Sequence, residues 1–488
     1  MDLGALAPDL TLDPVTASTS ITGLSADSRR IRPGFLFAAF AGAKADGARF
    51  AVDAVKAGAA AVLADAAAAL PEDLGVPVIR DVDPRRRLAL MAACFFGAQP
   101  QTTVAVTGTA GKTSVATFTR QIWQGAGHDA ASLGTLGVTT AEGTRYGSLT
   151  TPDTVRLHEI LAELAQAGIT HLAMEASSHG IDQRRLDGVR LKAGAFTNLG
   201  RDPLDYHKDL EDYFLAKLRL FTTLLPDGAG VVVDADEAYA DRVAAAAKAR
   251  GLPLFTVGRA GTGLRLVDCV EEPAGQRIVV EAAGRRHTVL LPLIGAFQVS
   301  NALVAAGLAI ATGMAAGEAL AALESLKGAP GRLDLVGRTA AGAPCFVDYA
   351  HKPDALAHVL AALRPHVEGR LVVVFGAGGD RDPGKRAIMG EVATKGADVV
   401  IVTDDNPRSE DPATIRRAIL AAAPGAIEIG DRHKAIAEAV AMLETGDILV
   451  VAGKGHETGQ IVGDEVHPFS DHEEVRAALG RSLSGGDQ

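Results

Sequence analysis

At 488 residues the chain is too long for one ordinary hydrophobic core, and about three domains are expected. Apolar content of 48% with 22% charged residues describes a globular chain, and a net charge of −11 argues against non-specific nucleic-acid binding. Three cysteines (Cys94, Cys269 and Cys345) are odd in number and lack metal-ligand spacing. With an acidic N-terminus free of a charged-then-apolar signal pattern, they point to a cytoplasmic protein with no membrane partner.

In chain order, residues 1–98 form a first unit. A buried strand is predicted over 35–40, a helix over 52–59, and strands over 61–63 and 76–79, the alternation of a small α/β domain. The alanine-rich run 57–70 is too short to span a bilayer and contains Asp65; as a whole it reads as a buried helix. Gln99-Pro100-Gln101 reads as a linker. Residues 99–331 form a nucleotide-binding unit, with strands over 171–174, 193–196 and 230–233 separated by helical stretches, as in a doubly wound sheet. An apolar helix opens at 298–301 and runs to 311. Residues 332–488 repeat the rhythm with β-branched runs at 371–375, 399–402 and 448–451, which suit strands buried on both faces of a parallel sheet.

The strongest local signal is Val104 to Ser114. An apolar strand feeds Thr107-Gly108-Thr109-Ala110-Gly111-Lys112-Thr113-Ser114, and a helix follows over 116–124. Small residues let backbone N–H groups face a phosphate, and the helix N-terminus adds positive potential. Lys112 can reach the outer phosphates and the Thr113 hydroxyl can hold Mg²⁺. The long P-loop pattern wants a further glycine where Val106 stands, so this is a shorter variant of it.

Further polar groups follow the strands. Met174-Glu175-Ala176-Ser177-Ser178-His179 places a carboxylate where it either completes the metal site or is satisfied by nearby amides. Lys217, by itself, reads as one more solvated helical lysine. Asp348 in Asp348-Tyr349-Ala350-His351 suits ribose hydroxyls, and His351 suits phosphates or adenine. The glycine-rich loop over 376–386 lacks the P-loop pattern and suits an anion or carboxylate. Arg408 can grip a carboxylate bidentately and Glu457 can bind an ammonium, a pairing for a zwitterionic amino acid.

Thr-Gly-Thr-Ala-Gly-Lys-Thr, Met-Glu-Ala-Ser-Ser-His, Thr-Asn-Leu-x-Arg-Asp, Asp-Tyr-Ala-His-x-Pro-Asp and Gly-Lys-Gly-His-Glu, in this order, resemble the Mur ligase family across nearly the whole chain. Asp405-Asn406-Pro407-Arg408 resembles the signature of members that add meso-diaminopimelate, rather than L-lysine, to UDP-N-acetylmuramoyl-L-alanyl-D-glutamate. The resemblance implies an α/β fold of three domains: a UDP-binding domain over 1–98, a central P-loop ATPase domain with a doubly wound sheet over 99–331, and a Rossmann-like amino-acid-binding domain over 332–488. It implies a monomeric ATP- and Mg²⁺-dependent ligase of peptidoglycan precursor synthesis.

The resemblance also implies residue roles. Ser28 would touch the uridine part, and Thr150, Thr151, Ser177, Gln183 and Arg185 the muramoyl dipeptide. Gly108 to Ser114 would hold the ATP phosphates, and Asn301, Arg332, Asp348 and His351 the adenosine. Arg381, Asp405, Asn406, Pro407, Arg408, Gly453 and Glu457 would hold diaminopimelate. Lys112 and Glu175 would be catalytic, together with Lys217, which matches the family lysine that reacts with CO₂ to give a metal-binding carbamate. Thr113, Glu175, Lys217 and His207 would serve the metal. Two departures stand out: Gly42-Ala43-Lys44 replaces Gly-His-Gln in the uridine loop, and Pro203 replaces the histidine of Asp-His-Leu-Asp, leaving His207 as the substitute ligand. Two rival readings are a folylpolyglutamate synthetase-like ligase and a non-catalytic nucleotide-binding regulator descended from such a ligase.

Overall fold

The structure is a computed structural model. It describes residues 1–40, 46–147, 149–200, 206–272 and 275–484, without the side chains of 481–484. Residues 42–44 of the uridine loop and residues 201–205, Pro203 among them, lie outside the described residues. The chain divides into two compact units, Met1–Arg265 with Leu303–Ala319, and Leu266–Ala302 with Leu320–Gln488.

The first unit opens with a parallel sheet whose strands follow sequence order: Gly23–Ser25, Phe35–Ala39, Ala61–Asp65 and Val78–Asp81. One expectation is corrected here. The alanine-rich run over 57–70 is not a helix: the helix Ala51–Lys56 ends before it, and Ala61–Asp65 is an inner strand between Phe35–Ala39 and Val78–Asp81. Gly58 explains the break, since its φ of +103° belongs to a turn that alanine would resist.

The larger sheet of this unit is built around Thr102–Thr107, flanked in parallel by Leu191–Phe196 on one side and His171–Glu175 on the other. Gly230–Asp234 and Leu254–Gly258 continue one side in parallel, and Ala130–Gly134 continues the other. Strand order therefore reverses beside Thr102–Thr107, the place where open α/β sheets open a crevice for ligands at their carboxyl ends. Val104, Ala105, Val106, Leu172, Met174 and Phe196 are buried within this sheet, which fixes the loops that follow its strands.

The second unit carries a sheet in the order Asp334–Arg338, Pro344–Asp348, Ile448–Ala452, Leu371–Phe375, Val399–Val402, Ile427–Glu428, parallel except for its first strand. Valine and isoleucine on both faces pack into two cores, as the continuous β-branched runs predicted. The unit also holds an antiparallel hairpin, Gly275–Ala282 with Arg285–Leu291, which the sequence reading did not anticipate.

Candidate active site

The phosphate loop sits between Thr102–Thr107 and the helix Lys112–Gly125. Gly108 has φ +151° and Gly111, capping the helix, φ +83°. A Cβ on Gly108 would collide with the Thr197 hydroxyl, so only glycine lets the neighbouring loop close on the turn. That loop braces the turn through side chain and backbone. Thr109 N donates to Asn198 O (2.9 Å), Ala110 N to Asn198 Oδ1 (2.9 Å), and the Thr197 hydroxyl to Ala110 O (2.6 Å). Lys112 Nζ lies in the curl of the loop, donating to Gly108 O (2.8 Å) and Thr109 O (3.0 Å).

Glu175, at the end of its strand, is buried beside the loop. Its Oε1 accepts from the Thr113 hydroxyl (2.9 Å) and from Thr135 N (2.7 Å), and its Oε2 from the Thr135 hydroxyl (3.2 Å). Of the two alternatives read from sequence, the amide-held carboxylate is the one seen here, and the same oxygen also meets the P-loop threonine. The expected dipeptide residues gather on the same strand end. The Thr150 hydroxyl is 3.1 Å from that of Thr135, and the Thr151 hydroxyl donates to Glu175 O (3.0 Å) and accepts from Ser177 N (3.1 Å). Arg185 donates to Thr151 O (2.6 Å) and Gln183 Oε1 (2.7 Å), and burial lowers its pKa. Ser28 opens a short 3₁₀ turn, Ser28–Arg30, beyond the strand Gly23–Ser25.

Lys217 overturns its reading as a solvated residue. It is 1% exposed, its Nζ donates to Gly108 O (2.8 Å), and it lies 4.1 Å from the centroid of the Tyr213 ring. The ring of His207 lies 5.3 Å from that same ring. His207 is buried, with Nδ1 against Asp212 (3.0 Å) and Nε2 without a hydrogen-bond partner among the described residues. Among those residues no three His, Cys, Asp or Glu side chains cluster to hold a metal. The Thr113 hydroxyl and the Glu175 carboxylate, 2.9 Å apart, offer oxygen ligands that suit an ion such as Mg²⁺, which keeps waters and phosphate oxygens as its other ligands.

The second unit holds the other expected residues. Asn301 Nδ2 donates to Gln298 Oε1 (3.2 Å), Gln298 Nε2 donates to Arg332 O (3.3 Å), and the Arg332 guanidinium lies 4.9 Å over the Tyr349 ring. Asp348 accepts from Leu333 N (2.6 Å) and Ala350 N (2.7 Å); burial pushes its carboxyl up to about 6 against the pull of Arg332. His351 O accepts from Lys385 Nζ (2.9 Å).

The residues expected to hold the amino acid lie where three strand ends meet. Asn406 Nδ2 donates to Glu457 Oε2 (2.9 Å), Gln460 Nε2 to Asp405 O (2.7 Å), and Arg408 Nη1 to Gly379 O (2.8 Å), while Gly379 N donates to Asn406 O (2.9 Å). Pro407 is buried and Arg381 exposed at the mouth of the glycine-rich loop. Gly453 has φ +119°, and a Cβ there would strike the Asp405 carboxylate. Arg408 (φ +51°) and Asp380 (φ +54°) adopt left-handed backbone, a conformation costing roughly 1–2 kcal/mol that concentrates at functional loops.

Three family models match in register: Mur ligase family, catalytic domain, over 20–96; Mur ligase middle domain over 106–309; and Mur ligase, glutamate ligase domain, over 331–455. A UDP-N-acetylmuramoyl-L-alanyl-D-glutamate--2,6-diaminopimelate ligase of Mesorhizobium japonicum is 63% identical over 467 residues, covering 95% of this chain and 96% of its own. The Brucella melitensis protein of that name is 59% identical, covering 95% of each chain. The chain belongs to the Mur ligase family. A solved structure of an enzyme so named aligns over 99% of both chains with a TM-score of 0.73 and 32% identity. A Mycobacterium tuberculosis folylpolyglutamate synthase covers 83% of this Mur ligase and 95% of its own chain at TM-score 0.61 and 17% identity, a likeness of fold alone.

Two groups in this Mur ligase carry functions the sequence reading did not assign. Thr135 holds Glu175, and Asn198 holds the phosphate loop. Asn198 had a signal, an amide side chain in the turn after a buried strand; Thr135, between glycine and leucine, had none.

Proposed function

We propose that this chain is an ATP-dependent ligase that joins meso-diaminopimelate to UDP-N-acetylmuramoyl-L-alanyl-D-glutamate in peptidoglycan precursor synthesis, acting in the cytoplasm as a monomer. The carrying observation is that relatives of this name, matched over 95% of this chain, coincide with side chains that match the family motifs: Lys112, Thr113, Glu175 and Lys217 in one unit, Asn406, Arg408 and Glu457 in the other. Residues 1–98 would bind the UDP part, 99–331 the ATP phosphates, and 332–488 the amino acid.

In this reading the D-glutamyl γ-carboxylate attacks the γ-phosphorus of ATP, the bond to ADP breaks, and an acyl phosphate forms. The amine of diaminopimelate then attacks the acyl carbon, and phosphate leaves from the tetrahedral intermediate. Lys112 and the amides of the loop neutralise the charge on the transferring phosphoryl group, and Thr151, Ser177 and Arg185 aim the carboxylate. Thr113, Glu175, His207 and a carbamate on Lys217 would hold Mg²⁺, which supplies charge neutralisation at the phosphates when bound. Such a carbamate forms by attack of the neutral Lys217 amine on CO₂ with loss of one proton.

Phosphate release measured with each candidate amino acid tests the reading; turnover is expected with meso-diaminopimelate and not with glutamate. No amino-acid-dependent release would favour a nucleotide-binding regulator, and glutamate-dependent release a folylpolyglutamate synthetase-like enzyme. Lys217→Ala should lose about 100-fold or more in kcat and regain part of it with a short-chain carboxylic acid. Wild-type activity in that variant removes the carbamate.

A further inference from the structure

Lys454 has no role in the account above, yet it lies at the centre of the amino-acid end. It is 0% exposed, and its Nζ donates to Asn406 Oδ1 (2.9 Å) and Glu457 Oε2 (3.1 Å). Ile461 N also donates to Asn406 Oδ1 (3.0 Å). An asparagine amide can present either of its ends, and its partners decide which. An ammonium and a backbone N–H are both donors with no acceptor capacity, so Oδ1 must face them. The NH₂ must then face the other way. One of its protons goes to Glu457 Oε2 and the other stays available to an acceptor. Glu457 is constrained as well: Oε2 already receives Asn406 and Lys454, which leaves Oε1 as its main free acceptor among the described residues.

We propose that Lys454 is a specificity-positioning residue: by fixing the Asn406 amide and the Glu457 carboxylate it makes this end accept a zwitterion in one orientation, ligand carboxylate toward Asn406 Nδ2 and ligand ammonium toward Glu457 Oε1. The inference rests on the reading of this end as the diaminopimelate site and deepens it. Lys454 touches no substrate itself. Together with Ile461 N it denies Asn406 the flipped state in which Oδ1 would repel a carboxylate, and of the two it alone also holds the Glu457 carboxylate to that amide. A ligand lacking the second carboxylate, such as L-lysine, gains nothing from that constraint.

The test compares kcat/KM for meso-diaminopimelate and L-lysine in the full-length enzyme and in Lys454→Met, Lys454→Arg and Asn406→Asp, with KM for ATP as a control on integrity. The wild type should prefer meso-diaminopimelate by about 10⁴. Lys454→Met should shrink that preference by about 100-fold or more through loss with meso-diaminopimelate, leaving L-lysine turnover and KM for ATP nearly unchanged. Lys454→Arg, still a donor, should keep the preference within about tenfold. A Lys454→Met enzyme of lower activity but unchanged preference overturns the proposal, because a merely structural lysine would lower both substrates alike. Should Lys454→Met not fold, Asn406→Asp decides: Lys454 stays, but a carboxylate oxygen replaces the NH₂, and retained preference overturns the proposal. A wild type without preference overturns instead the diaminopimelate reading of the site.

Discussion

In the proposed function, the phosphate end of the first unit and the amino-acid end of the second are built in opposite ways. At the phosphate end a contiguous turn does most of the work: Gly108 and Gly111 supply the backbone conformations, the helix Lys112–Gly125 supplies the field, and Lys112 and Thr113 follow in register. At the amino-acid end no contiguous turn suffices. Asn406, Arg408, Lys454 and Glu457 come from two strand ends, and beneath them the fully buried Arg432 and Asp471 form a two-pronged ion pair (2.7 Å each) while Arg432 also donates to Ala452 O (3.0 Å). Phosphate is the same in every nucleotide, and backbone amides recognise it. In the proposed reading one amino acid must be told from its near relatives, and that takes side chains whose orientation is enforced by further side chains.

The sharpest test of this contrast is selectivity. The ratio of kcat/KM for meso-diaminopimelate over L-lysine should reach about 10⁴, since lysine leaves buried polar groups unpaired, and Arg408→Lys should abolish most of it. Comparable efficiency for both amino acids breaks the comparison at its amino-acid end. At the phosphate end Lys112→Ala should lower kcat by about 1,000-fold through lost charge stabilisation, with the melting temperature little changed, because its Nζ donates to carbonyls of its own loop. Full activity would take Lys112 out of the site.

Stability offers a smaller pair of effects. Arg432→Leu should destabilise the second unit by about 3–5 kcal/mol by leaving Asp471 buried without its partner, and adding Asp471→Leu should recover much of the loss. Chemical denaturation that does not distinguish Arg432→Leu from wild type would show the pair contributes nothing. In the first unit, His158 Nε2 meets Asp187 O (3.0 Å), and burial pushes its pKa down to about 4 from 6.5. The unfolded chain therefore takes up the proton first as pH falls, so this group removes up to about 3 kcal/mol of stability between pH 6.5 and 4. His158→Gln keeps a donor for Asp187 O and should lose less stability than wild type between pH 7 and pH 4.5. Equal losses would place the acid sensitivity elsewhere.

The parts legible in the sequence are those whose physics is local. The runs 371–375 and 399–402 matched their strands residue for residue, because a strand buried on both faces must be continuously apolar. The helix reading of the alanine-rich run failed because alanine's helix preference is a weak prior that tertiary context overrides; the turn at Gly58 and pairing on both sides made Ala61–Asp65 an inner strand. The hairpin Gly275–Ala282 and Arg285–Leu291 buries alternate residues (Ile278, Val280, Ala282, Val289, Leu291), but the apolar Val279 and Leu290 between them blur the alternation.

By itself the sequence determined the phosphate loop, the strand-end positions of Glu175, Asp348 and Asn406, and the family. Each of these depends on neighbours within a few residues or on motifs kept in order. Only the tertiary structure decided that Lys217 is buried against Gly108, that Thr135 holds Glu175, and that Lys454 and Ile461 set the direction of the Asn406 amide. Those depend on contacts between residues 40 to 109 positions apart, and no local pattern encodes which donor a distant acceptor will meet.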